Sequence, residues 1–89
     1  MSLTSDKVRE TVLAIIEQIA PERDRFVADT NLRLVEDLGF HSLALLEMAF
    51  AIEDEFDLPP LDEETGRGIR TTDHVLDYVL GQLHDQIVD

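Results

Sequence analysis

The 89-residue sequence contains no cysteine, which rules out disulfides and cysteine-ligated metal sites. No apolar run approaches the length of a membrane span. The opening Met1-Ser2-Leu3-Thr4-Ser5-Asp6 lacks the basic start and apolar stretch of a signal peptide. These absences lead us to expect a cytoplasmic protein. Basic residues are scarce: 7 Lys and Arg stand against 20 Asp and Glu, a net charge of −13. Nucleic-acid binding needs a basic footprint and is disfavoured, as is docking on anionic lipid. No strand pattern and no internal repeat can be found.

A hydrophobic content of 44% suits a globular chain rather than a disordered one. At this length the core is small and every helix must contribute to it. We expect one domain over residues 1–89, a monomer. Because the sequence starts at Met1 without a linker, a separate polypeptide is expected rather than an excised domain. The acids are unevenly placed. Between Arg33 and Arg67 there are ten and no Lys or Arg, a field that speeds encounter with basic partner surfaces. A solvated acidic face kept for solubility is the bland alternative, but large apolar residues lie among these acids.

Taken in order, Thr4 or Ser5 caps a first helix with Asp6 in its first turn. Val8, Val12, Ile15, Ile16 and Ile19 form its apolar stripe, and Pro21 stops it. A connection of about 20 residues, Pro21 to His41, follows. It is pinned by Phe26, Val27, Leu32, Leu34, Val35 and Leu38, so an ordered loop is expected. Asp29-Thr30-Asn31 reads as a turn, and Gly39 supplies backbone freedom before the next helix. Beyond that helix, Pro59 and Pro60 are expected to end it, and Asp62-Glu63-Glu64-Thr65 gives one short helical turn before Gly66 and Gly68 interrupt it. Thr71 or Thr72 caps a last helix with Val75, Leu76, Val79, Leu80 and Leu83 facing inward, Tyr78 beside them and Gly81 weakening it modestly. His74 and His84 share no metal-like face and read as surface residues. The acid spacing also departs from that of an EF-hand loop, so no metal site is expected.

The second helix organises the chain. From Ser42 to Phe56 there is no proline, no glycine and almost no β-branched residue. Leu45, Leu46, Ala49, Ile52 and Phe56 recur at spacings suited to a core face. Leu43, Glu47, Phe50 and Asp54 form another stripe, mixing large apolar with acidic side chains, and it reads as a docking face.

Ser42 opens this helix. One reading is a plain helix-start serine that satisfies a free backbone N–H. A second is a nucleophile activated by His41, but adjacent residues do not normally face each other and the Gly-x-Ser-x-Gly elbow is missing. No third group orients the histidine, so no catalytic residue and no enzyme is expected. The third is post-translational attachment: a hydroxyl at a helix N-terminus is exposed, and a phosphodiester there meets free backbone donors and the positive helix end.

The run Glu36-Asp37-Leu38-Gly39-Phe40-His41-Ser42-Leu43, with Glu47, Glu53, Glu55, Phe56 and Asp57 after it, resembles the acyl carrier protein family. The family motif reads Asp-Leu-Gly-x-Asp-Ser-Leu. Asp37, Leu38, Gly39, Ser42 and Leu43 match it, whereas His41 stands where the family has Asp. The likeness extends from Asp29-Thr30-Asn31-Leu32 to Asp77-Tyr78-Val79. It implies an all-α, four-helix bundle with a short, mobile third helix and a long loop between helices 1 and 2. It also implies a 4′-phosphopantetheine arm on Ser42, flanked by His41 and Leu43, transferred from coenzyme A by a phosphopantetheinyl transferase. The thiol-ended arm carries an acyl group as a thioester between acyl-loading and acyl-processing enzymes with basic docking surfaces. Leu43, Glu47, Phe50, Glu53 and Asp54 are the expected partner face. Family members of the fatty-acid kind bury the acyl chain, and Leu46, Ala49, Ile52, Phe56 and the last helix either line such a space or close-pack. The expected pathway is fatty acid or polyketide-like. Alternatives are an aminoacyl, peptidyl or D-alanyl carrier, and an unmodified interaction module.

Overall fold

In the computed structural model, which describes residues 3–89, four α-helices enclose one core. Met1 and Ser2 of the opening segment lie outside the described residues. The first helix, α1 (Ser5–Ile19), begins where Thr4 Oγ1 accepts the Lys7 N–H at 3.2 Å and Asp6 complements the positive helix end. Val8, Val12 and Ile16 are fully buried, and Ile15 and Ile19 pack beside them. Ala20 leaves helical geometry ahead of Pro21, as the ring of a following proline requires.

The long connection is ordered by its own backbone bonds. A 3₁₀ turn at Arg23–Arg25 opens it, and Glu22 N–H donates to the Leu38 carbonyl at 3.0 Å. Leu34 N–H donates to the Arg70 carbonyl and Thr72 N–H to the Leu32 carbonyl, each at 2.9 Å. The loop is thereby fastened to the start of the last helix. Leu34, Leu38 and Phe40 are its buried anchors, while Phe26 and Leu32 are half-buried. Val27 and Val35, expected as pins, are exposed instead. The tight turn from Arg33 to Asp37 sends Leu34 inward, and its neighbour Val35 is carried outward. Phe40 fills the core in their place.

The second helix, α2 (Ser42–Phe56), packs against α1, and its buried residues are Ala44, Met48 and Ile52. This corrects the expected core stripe. Leu45, Ala49 and Phe56 are only partly buried, and Leu46 is 53% exposed. Small Ala44 lets its neighbours approach, and flexible Met48 fills what remains. The helix end is also corrected: Asp57 adopts the left-handed conformation (φ 53°, ψ 50°) and Leu58 N–H closes on the Glu53 carbonyl at 2.9 Å. The turn is complete before Pro59 is reached.

The short α3 (Glu63–Arg67) is capped by Asp62, whose carboxylate accepts the Thr65 N–H at 2.7 Å and the Thr65 hydroxyl at 3.0 Å. These bonds hold the Asp62 carboxyl below its ordinary range. Gly66 lies inside α3 rather than interrupting it, and Gly68 follows its end. The last helix, α4 (Thr72–Gln82), is capped by Thr71, which accepts the His74 N–H at 3.2 Å. Thr72 is buried and bridges the long loop, accepting the Leu32 N–H at 3.1 Å and donating to the Thr30 carbonyl at 3.3 Å. Val75, Leu76, Val79 and Leu83 complete the core. Among the described residues there is no strand, only isolated bridges at Leu3–Ile87 and Arg33–Thr71. No helix there is long and apolar enough to cross a membrane.

Candidate attachment site and partner face

The Arg33–Ser42 turn positions the site. Arg33 N–H donates to Asp37 Oδ2 at 2.8 Å, and the Arg33 guanidinium holds the same carboxylate at 3.2 and 3.3 Å. Arg33 thus keeps the Asp37 carboxyl well below the usual carboxylate range. The Asp37 and Leu38 N–H groups return to the Arg33 carbonyl, and Phe40 N–H to the Leu34 carbonyl at 3.0 Å. Gly39 completes the reversal at φ 72°, where a Cβ would stand 2.6 Å from Glu22 Cγ. The sequence Asp-Leu-Gly is therefore a clamp, an anchor and a hinge, in that order.

His41 is the N-cap of α2. Its backbone is extended, its carbonyl accepts the Leu45 N–H at 2.9 Å, and Nδ1 accepts the Ala44 N–H at 3.4 Å. Ser42 is the first helical residue and is exposed. Among the described residues its hydroxyl has no hydrogen-bond partner. The Ser42 and Leu43 N–H groups have no intrahelical acceptor at this end of a helix. An exposed, unengaged hydroxyl beside two free amides and the positive helix end fits a phosphodiester.

Two surfaces of α2 diverge from this point. On the outer surface Leu43 and Phe50 are each 62% exposed, with exposed Glu47 and Asp54 at the same helical spacing. Leu46 adds a third exposed apolar side chain beside them. Glu53 departs from this face: its carboxylate accepts the Leu61 N–H at 3.0 Å, fixing the chain that follows the helix. The inner surface is the row Ser42, Leu46, Ala49, Glu53, spaced i, i+4, i+7, i+11. Below Ser42 this row lines an apolar cavity of about 200 Å³ between α2, α3 and α4. Leu45, Ile52, Leu61, Ile69 and Tyr78 also line it. Burial, and then the Glu53 and Asp62 carboxylates, raise the Tyr78 hydroxyl above its ordinary range. Phe56, expected here, does not reach the lining. Leu61 and Ile69 were missed because the chain between α2 and α4 carries no periodic signal.

Among the described residues no cluster of metal-ligating side chains forms, and His74 and His84 are exposed.

This arrangement defines a carrier: a helix that begins on an exposed serine, with an apolar cavity one turn beyond. The family model described as a phosphopantetheine attachment site matches residues 8–63, and the chain belongs to that family. The all-α fold agrees with an acyl-carrier-like bundle. The cofactor of the family is covalent 4′-phosphopantetheine, which supplies a thiol for thioester linkage. This chain provides the clamped turn and the helix end for it.

Proposed function

We propose that residues 1–89 act as one unit, an acyl carrier protein that bears its arm on Ser42 and passes acyl thioesters between enzymes of a fatty acid or polyketide-like pathway. The observation that carries this reading is the row on α2: an exposed serine hydroxyl with no internal partner begins the row, and from one turn further along the same row side chains line an apolar cavity. At about 200 Å³ the cavity exceeds the ~150 Å³ space that takes up benzene in an engineered core. It therefore has room for a short alkyl chain, which favours an acyl cargo over an aminoacyl, peptidyl or D-alanyl one. The chain's own role is to hold and present cargo, not to transform it.

The outer surface of Leu43, Glu47, Phe50 and Asp54 is the proposed partner face, without Glu53, whose carboxylate is taken by the Leu61 N–H. Phosphopantetheinyl transferase and acyl-loading and acyl-processing enzymes would meet it with basic residues around an apolar centre. We place this carrier, as a monomer, in the cytoplasm. His41 supports a second reading, an unmodified interaction module, because it stands where the family has aspartate.

Intact mass after incubation with coenzyme A and a broad-specificity transferase separates the two readings. A gain of one phosphopantetheine, absent from Ser42→Ala, is the expected result. No gain with any transferase tried would leave the interaction module.

A further inference from the structure

Only seven cationic side chains oppose the 20 acids of this chain, yet three of them, Arg33, Arg67 and Arg70, line one cleft together with His74. The cleft is open, about 680 Å³, and lies between the Arg33–Glu36 turn and the connection from α3 to α4. It shares Leu45, Gly66 and Ile69 with the apolar cavity, so the two spaces adjoin. Leu45 lies one turn below Ser42 on α2.

The three guanidinium groups are not equivalent. Arg33 is engaged by Asp37, and Arg67 by Glu63, four residues away on the same short helix. Arg70 has no ion pair and no side-chain hydrogen bond among the described residues. Its backbone is nevertheless fixed at both ends: the N–H donates to His74 Nδ1 at 3.0 Å, and the carbonyl accepts from Leu34. With Nδ1 accepting, His74 carries its proton on Nε2 and adds a second donor. Glu36 is the one carboxylate in the lining. Such a cleft suits a single anionic group better than a polyanion, and the planar guanidinium of Arg70 matches a carboxylate bidentately. A cargo ammonium would meet the unpaired Arg70 guanidinium and be repelled.

We propose that the cleft recognises a free carboxylate on the cargo, so that this carrier takes a dicarboxylic acyl unit. One carboxyl of the unit forms the thioester, the methylenes lie in the apolar cavity, and the other carboxylate pairs with Arg70. This inference rests on the carrier reading above.

The test compares two cargoes of equal chain length. Adipoyl- and hexanoyl-coenzyme A are used with a broad-specificity transferase to load the full chain, and loading is read by mass. The adipoyl form should melt roughly 2–5 °C above the hexanoyl form, the size expected of a partly exposed ion pair in a domain of this length. The backbone amides of Ile69, Arg70 and His74 should shift only with adipoyl. Arg70→Gln should abolish the difference while leaving the hexanoyl form unchanged, and Arg70→Lys should keep part of it. Equal melting without shifts at Arg70, or a difference that survives Arg70→Gln, overturns the cargo assignment. So does a hexanoyl form destabilised by Arg70→Gln, since Arg70 would then act through the fold. Failure of both thioesters to load on Ser42 overturns the carrier reading with it, and the mass alone tells these failures apart.

Discussion

His41 offers the Ala44 N–H an imidazole nitrogen at 3.4 Å, beyond the range of a good hydrogen bond, and brings no fixed negative charge to the positive end of α2. Aspartate corrects both. His41→Asp is expected to stabilise the protein by about 0.5–1 kcal/mol in urea denaturation. The same variant probes the proposed modification: if His41 selects the transferase, modification rates should change with at least one of them. Unchanged rates with each transferase tried would leave His41 a cap and nothing more. Two residues earlier, Gly39 sits at φ 72°, which costs an L-residue about 1–2 kcal/mol. Gly39→Ala should therefore destabilise by about that amount, and more where Glu22 cannot yield, because its backbone is held by Leu38. An unchanged midpoint would mean that the turn relaxes.

At the scale of the element, α2 is apolar over most of its circumference, so spacing alone does not choose the face it buries. Ile52 belongs to the buried row and Phe50 to the exposed one, although both are large and apolar. Ile52→Ala should cost about 2–5 kcal/mol. Phe50→Ala should stay within about 0.5 kcal/mol yet slow processing by a docking enzyme. A large stability loss from Phe50→Ala would place it in the core and remove it from the proposed face. The same contrast explains what could be seen in the sequence. The caps at Thr4 and Thr71, the stripe of α1, and the turn and serine of the Asp37–Ser42 segment each rest on local signals, and these were legible. The buried row of α2 was not, because it is set by how the other helices pack around α2 and not by spacing along it. Phe40 was invisible between Gly39 and His41, where no repeat marks it as core. Neither could the cavity be read, since its lining comes from α2, the chain around α3 and α4, brought together only by folding. The end of α2 belongs to the same class: prolines are conspicuous, whereas the left-handed Asp57 is not.

Over the whole molecule, the charge of −13 opposes compaction. Mutual repulsion is relieved by screening, so added salt should raise the melting temperature until exposed charges lie beyond a Debye length, about 8 Å at 0.15 M. Acid acts in two opposing directions. Protonating scattered carboxylates relieves repulsion, but Asp37, Asp62 and Asp89 are held below their ordinary range by hydrogen bonds from Arg33, Thr65 and Ser5 respectively. A group depressed in the folded state stabilises the fold above its unfolded value, about 3.9, and that contribution is lost as pH falls through the folded value. Asp37→Asn separates the two effects, because it removes one clamped carboxylate and leaves the remaining acids in place. The variant should be less stable than the parent at neutral pH, and the gap should narrow steadily as pH drops below about 4. Equal stability of the two at neutral pH would show that the turn does not depend on the charge of Asp37. The amide would then hold the Arg33 N–H as well as the carboxylate does, and the clamp before Ser42 would be one of shape rather than charge.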